Sequence, residues 1–114
     1  MTNRSSTLIL PPAPADLVAV PIGSGQVILA WTECGAGGLG YRIERAVCNS
    51  HCTPFVEIGG VGPHVTAFRD GSVEPRTTYS YRVHAWNASG ESSPSNVVEV
   101  TMPPAGTEPP ADKE

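Results

Sequence analysis

The stretch VEPRTTYSYRVHAWNASGES, residues 73–92, decides the fold class of this chain. In its centre, apolar residues alternate with polar ones at Tyr79, Tyr81, Val83 and Ala85. A period of two is typical of a β-strand that buries one face. A proline before this run and the NASG sequence after it are turn formers, so both ends of the strand are marked.

Shorter runs with the same alternation occur before and after this strand. They lie at residues 17–19, 27–31, 41–43, 55–58, 65–68 and 98–100. Seven short strands separated by turn residues predict an all-β sandwich, because no segment has a helical period of useful length. The chain has 114 residues, of which 39% are hydrophobic, so we expect one domain with its own core.

The charge of the chain argues against nucleic acid as a partner. The formal net charge is −4, and Lys113 is the single lysine among seven lysine and arginine residues. The arginines are scattered and form no basic patch. No apolar run approaches the ~18 residues of a membrane-spanning helix, so membrane insertion is not expected. The first residues, MTNRSSTLIL, also lack the features of a signal peptide.

Proline-rich segments mark the expected domain boundaries. LPPAPAD lies near the start of the chain and PPAGTEPPADKE at its end. Such segments usually form extended linkers. We therefore expect an extended N-terminal segment and Pro-rich linker at residues 1–12, a folded domain at 13–102 and a Pro-rich acidic linker at 103–114.

Three features together resemble a fibronectin type III domain. They are the P-x-x-L sequence from Pro14 to Leu17, Trp31 at the end of the second run, and residues 73–92. The resemblance implies a seven-stranded immunoglobulin-like β-sandwich with sheets A-B-E and G-F-C-C′. It also implies that Tyr79 forms a tyrosine corner, in which the phenol hydroxyl bonds a backbone group a few residues upstream.

The alternating runs supply a candidate core for this sandwich. Trp31 is the large central side chain, and Tyr41, Tyr79, Tyr81 and Val83 are expected to surround it. A tyrosine can bury its ring while its hydroxyl keeps a hydrogen-bond partner, so three core tyrosines are physically acceptable.

The glycine-rich stretch TECGAGGLGY, residues 32–41, contains G-x-G-x-x-G after a strand-like run. A dinucleotide site would need a helix directly after the glycines, so that the helix N-terminus meets the pyrophosphate. Here YRIERAV follows, and its alternation predicts a strand. We therefore expect a flexible loop and no cofactor.

No catalytic site is predicted either. His51, His64 and His84 fall on three different elements, and no G-x-S-x-G motif accompanies them. The chain is therefore not expected to be an enzyme.

Cys48 and Cys52 are predicted to form a disulfide. The implied topology places Cys34 at the other end of strand C, about 20 Å away, which is further than the ~7 Å that a disulfide allows between Cα atoms. Two other states remain open: free thiols, or a metal held by Cys48, His51 and Cys52, although a structural zinc normally has four ligands. We favour the disulfide, which indicates an oxidising compartment, and predict no metal site.

Outward positions on strand F, the longest alternating run, form a candidate partner-binding surface. The alternation turns Arg82, His84 and Trp86 outward, beside Arg42 on strand C, and His84 is expected to be solvated. An outward tryptophan is uncommon and suggests contact with a protein partner. Alternatively, Arg42 or Arg82 stacks on Trp86 as a cation–π pair within the domain.

The TLIL segment before the first proline linker is rich in β-prone residues. Leu8, Ile9 and Leu10 are candidates for addition as a strand to the sheet edge of another molecule. A disordered tail is the simpler interpretation.

These features favour a non-catalytic module that acts as a spacer or assembly unit in a larger or multimeric protein, extracellular or at the cell surface. The composition also resembles modules of bacterial secreted or surface proteins. Its partners would be proteins, either neighbouring domains or copies of itself, and neighbouring domains would supply any link to carbohydrate. One alternative is a specific protein-binding module that uses the outer face of strands C, F and G. The other is a filament subunit joined through the TLIL segment.

Trp31→Ala is expected to lower the free energy of unfolding by roughly 3–5 kcal/mol, as the loss of a large buried aromatic side chain does. Chemical denaturation measures this change. A denaturation midpoint close to that of the unmodified chain would contradict the assignment of Trp31 to the core.

Overall fold

The computed structural model describes residues 9–35 and 37–106, so Leu8 lies outside the described residues. The described part of the chain contains eight strands. Their bounds are β1 Ala15–Ile22, β2 Gln26–Thr32, β3 Gly40–Val47, β4 Val56–Val61, β5 Ala67–Asp70, β6 Thr78–Asn87, β7 Gly90–Glu91 and β8 Val98–Thr101.

The strands form two antiparallel sheets that face each other. One sheet has the order β1-β2-β5, and the other has β4-β3-β6, with both β7 and β8 paired to β6. These are the predicted sheets A-B-E and G-F-C-C′, with β7 and β8 together forming strand G. The predicted all-β sandwich of fibronectin type III topology is confirmed.

The core lies between the two sheets. The structure buries Trp31, Tyr41, Tyr79, Tyr81 and Val83, each at most 6% exposed. The rings of Trp31 and Tyr41 meet edge to face with centroids 5.4 Å apart, an arrangement that aromatic quadrupoles favour. The buried indole Nε1 of Trp31 has no hydrogen-bond partner among the described residues, so this side chain stabilises the core through its buried area and its ring contact with Tyr41.

Tyr79 forms the tyrosine corner that the resemblance implied. Its hydroxyl accepts a hydrogen bond of 2.8 Å from the backbone amide of Glu74, five residues upstream, while its ring is 3% exposed. The bond ties the turn before β6 to the core.

Strand G is divided because serine side chains replace part of its backbone pairing. The backbone amides of Ser92 and Ser95 donate to Ala85 and Val83 of β6, and the two serine Oγ atoms accept from the same two residues at 2.9 and 3.0 Å. Pro94 lies between the serines and has no N–H to donate. The edge of β6 is therefore satisfied even where strand G is interrupted.

Two glycines that lie between the predicted strands at residues 55–58 and 65–68 are part of a strand. Gly59 and Gly60 lie in β4, where they pair with Ile43 and Arg42 of β3. A Cβ atom built at Gly59 would lie 2.7 Å from the ring of Phe68, which crosses from the opposite sheet. The glycine pair therefore permits close packing here and does not form a turn.

Asp70 is a buried carboxylate at the end of β5, only 4% exposed. It accepts hydrogen bonds from the Tyr81 hydroxyl at 2.7 Å, from Arg45 at 2.8 Å and from the amide and hydroxyl of Ser72. Burial raises the pKa of this carboxyl, but the bonds from Tyr81, Ser72 and Arg45 outweigh burial and hold the pKa below its usual 3.8. The ionised form is therefore the one that the fold selects.

Acid should destabilise the domain partly through Asp70. Because its folded pKa is depressed, its contribution is fully present above the unfolded pKa of about 3.9 and is lost as the pH falls through the lower folded value. Urea denaturation between about pH 6 and about pH 2 measures this loss.

Asp70→Asn is the matched variant for this measurement. It should be less stable near neutral pH and should lose less of its remaining stability on acidification. Equal acid slopes in the two proteins would show that Asp70 does not titrate with folding.

Candidate functional site

The outer face of the β3–β6 pair collects the residues predicted to bind a partner. The register places Arg42 opposite His84, Glu44 opposite Arg82, and Gly40 opposite Trp86. Alternate residues of a strand share a face, so all four candidates lie on one side of the sheet, away from the core. We call this set, with Glu44, the outer face.

Trp86 is held against the sheet by Arg42. The guanidinium carbon of Arg42 lies 5.0 Å from the centroid of the indole, and its NH1 atom forms an ion pair of 2.6 Å with Glu91. A Cβ atom built at Gly40 would lie 2.9 Å from the indole Nε1, so the glycine lets the ring approach the backbone. Of the two stacking partners considered for Trp86, the structure selects Arg42.

Glu44 is the centre of a second cluster on the same face. Its Oε1 atom accepts from Arg82 Nε at 2.6 Å and lies 3.0 Å from His84 Nε2. Burial raises the pKa of this carboxyl, but the bonds from Arg82 and His84 outweigh burial and lower the pKa overall. The Arg82 guanidinium also lies 4.1 Å from the centroid of the Phe55 ring, so Arg82 contacts both Glu44 and Phe55 within the domain.

The expectation that His84 is solvated is wrong. His84 points to the outer side of the sheet, yet it is only 8% exposed. Its Nδ1 atom donates to the carbonyl oxygen of Ser92 at 2.9 Å, and Glu44 contacts the other ring nitrogen. Strand alternation gives the direction of a side chain but not what covers it, and here the segment after β7 covers the ring.

Cys48 and Cys52 are joined by a disulfide, and they also form an isolated antiparallel bridge across the turn between β3 and β4. Among the described residues, no group of three or more histidine, cysteine or acidic side chains could hold a metal ion. Cys34 is a free thiol at the other end of the sandwich, as the strand geometry predicts.

The glycine-rich loop after β2 borders a small cleft that the sequence analysis missed. Tyr41 donates to Glu33 at 2.9 Å, and His64 Nδ1 lies 3.0 Å from the same carboxylate. Burial, together with the bond to Glu33, raises the pKa of Tyr41 to about 12. The cleft volume of 20 Å³ is room for about one water molecule. β3 follows the glycines as a strand, so within residues 9–35 and 37–106 no helix N-terminus faces the loop.

The described part of the TLIL segment lies against the domain and not in any strand. Ile9 and Leu10 are 65% and 47% exposed, and the carbonyl oxygen of Ile9 accepts from Asn87 at 3.0 Å. The side chain of Leu10 lies over Gly90.

The family model described as a fibronectin type III domain matches residues 12–101. The chain belongs to the fibronectin type III family. Domains of this family are generally non-catalytic modules of multidomain proteins, and they mediate protein–protein contacts. No helix of the described residues is long and apolar enough to span a membrane.

Known proteins similar to this chain support the family assignment. Over 98 residues the chain is 30% identical to receptor-type tyrosine-protein phosphatase F of Danio rerio, a match that covers 86% of this chain and 5% of the phosphatase. The FN5 domain of Drosophila Lar has a TM-score of 0.67 at 23% identity over 82% of this chain and 97% of that domain. The fibronectin type III domain of the human protein called fibronectin type III domain containing protein 3 has a TM-score of 0.66 at 26% identity. The match covers 82% of this chain and 87% of that domain.

The stacking of Arg42 on Trp86 should be measurable as a coupling energy. Arg42→Ala, Trp86→Ala and the double variant form a cycle whose expected coupling is about 0.5–1 kcal/mol, the usual range for an exposed cation–π pair. Urea denaturation of the four proteins measures it. Arg82 and Trp86 form the control cycle, because Arg82 stacks on Phe55, and it should show a coupling near zero. Equal coupling in both cycles would contradict a specific Arg42–Trp86 contact.

Proposed function

We propose that this fibronectin type III domain is a non-catalytic spacer that holds the segments before and after it at opposite ends. The observation that carries the proposal is the strand register. Ala15 of β1 pairs with Thr32, beside the loop into β3, whereas Thr101 of β8 pairs with Thr78, beside the turn that follows β3. The chain therefore runs into the sandwich at one end, the top, and leaves it at the other, the bottom.

The segment that leaves the domain is tied to it by backbone hydrogen bonds. The amide of Met102 donates to Thr77 at 2.9 Å, and the amide of Arg76 donates to Pro103 at 3.1 Å. The side chain of Met102 is 1% exposed, so it is part of the core. These contacts support a fixed direction for the chain as far as Pro103, which a spacer requires.

The outer face supports this role better than a role as a binding site. Its charges are already paired within the domain, Arg42 with Glu91 and Arg82 with Glu44. A partner that binds there would break or desolvate these ion pairs, which has a free-energy cost. Its own contacts with the outer face would have to compensate for that cost. Likewise, strand addition through the TLIL segment would have to release the Ile9 carbonyl from Asn87.

Two observations support an extracellular or cell-surface location. The Cys48–Cys52 disulfide persists in oxidising compartments, and the similar Danio rerio protein is of receptor type. We propose neighbouring domains of the same protein as the partners.

Single-molecule energy transfer between two fluorescent reporter domains, fused before and after the chain, tests the spacer function. A spacer should give one narrow distance distribution that does not change with denaturant below the unfolding transition. A Gly/Ser linker of equal length is the control and should give a broad distribution, because such chains behave as random coils. An equally broad distribution for this chain would overturn the proposal.

A further inference from the structure

Three glycines at the top of the sandwich lie beneath three consecutive linker residues. Cβ atoms built at Gly90, Gly38 and Gly35 would lie 3.2 Å from Leu10, 4.0 Å from Pro11 and 3.0 Å from Pro12. Gly90 is the first residue of β7, whereas Gly35 and Gly38 lie in the loop between β2 and β3, and their missing side chains leave a groove. We call these three glycines, with Asn87, the linker groove.

Asn87 closes this groove with its amide group. Its Nδ2 atom donates to the carbonyl oxygen of Ile9 at 3.0 Å and to that of Gly37 at 3.3 Å. Its Oδ1 atom accepts from the amide of Ser89 at 2.8 Å. A primary amide has two N–H donors, and both are used to join the linker to the glycine-rich loop.

The linker in the groove is stiff as well as bound. Pro11 is buried there, and Pro12 and Pro14 follow it before β1. Each proline fixes its own φ angle, and proline-rich segments behave as semi-rigid spacers. Fixing Ile9 and Leu10 at the groove therefore fixes the direction of the chain from residue 9 to β1.

We propose that Asn87 is a latch that sets the direction from which the preceding segment approaches this domain. The inference rests on the proposed spacer function and names the residue responsible at the top of the sandwich. Asn87 is a positioning residue: it lies outside the buried core cluster, at the end of β6. The partner of the groove is this chain's own linker at residues 9–12.

Asn87→Asp tests the latch while preserving the turn. Asp keeps the oxygen that accepts from Ser89 but has no N–H for the Ile9 and Gly37 carbonyls. The ratio of docked to undocked linker should fall roughly 2- to 12-fold, as for the loss of one ordinary hydrogen bond, the bond to Ile9. In NMR relaxation, the order parameters of the Ile9 and Leu10 amides should drop from about 0.85 to below about 0.6.

Asn49→Asp is the matched control for this experiment. It makes the same chemical change at the bottom of the sandwich, where the side-chain oxygen of Asn49 accepts from Thr78 and is kept. Order parameters of Ile9 and Leu10 should stay at their original values in this variant. Unchanged order in Asn87→Asp, or equal loosening in both variants, would overturn the latch.

A truncated chain that begins at Pro11 covers the case in which Asn87→Asp fails to fold. Removing residues 1–10 deletes the Ile9 carbonyl and leaves Asn87 in place, so the side-chain NH₂ protons of Asn87 should exchange with solvent several-fold faster. Unchanged exchange would overturn the latch. Failure of the latch is distinguishable from failure of the spacer proposal. A chain whose linker is undocked still has a folded sandwich between the two reporter domains.

Discussion

The pairing of β3 with β6 is the constraint on which the rest of the structure depends. Eight consecutive residue pairs join the two strands, from Gly40 with Trp86 to Val47 with Tyr79. On the inner side this register places Tyr41 and Ile43 beside Ala85 and Val83, and on the outer side it places Glu44 beside Arg82. A slip of one residue would turn both sets to the wrong face. The core and the outer face are therefore two consequences of one register.

Periodicity allowed the strands and a candidate core to be predicted because it is local in sequence, whereas the two sheets and the tyrosine corner came from the resemblance to fibronectin type III domains. The alternation at Tyr79, Tyr81 and Val83 needs only neighbouring residues to be read. The outer face could be predicted only as a direction. His84 is buried by Glu44 and Ser92, and Glu44 is 40 residues away in the chain, so no local pattern reveals the contact. Polar contacts of this kind depend on the register between strands, which the sequence does not state.

The packing roles of the glycines are a second feature that the sequence does not reveal. The sequence predicts only a flexible loop for the glycines of residues 32–41. In the structure, Gly59 makes room for the Phe68 ring between the sheets, whereas Gly35, Gly38 and Gly90 make room for the linker. Both uses are close approaches that a Cβ atom would block, and neither depends on turn formation. A glycine in the sequence is compatible with a close approach of another element, but only the folded structure shows which element makes that approach.

The two ends of the sandwich hold their linkers by different kinds of bond. At the bottom, the amides of Met102 and Arg76 pair with Thr77 and Pro103 through the backbone, so these bonds survive almost any change of side chain. At the top, the bond to Ile9 comes from the side chain of Asn87. The direction of the chain at the bottom is therefore set by backbone pairing, whereas at the top a side chain, that of Asn87, adds to the packing of the linker on the glycines. Because Asn87 lies outside the buried core cluster, the proposed latch can change by substitution while the sandwich keeps its core.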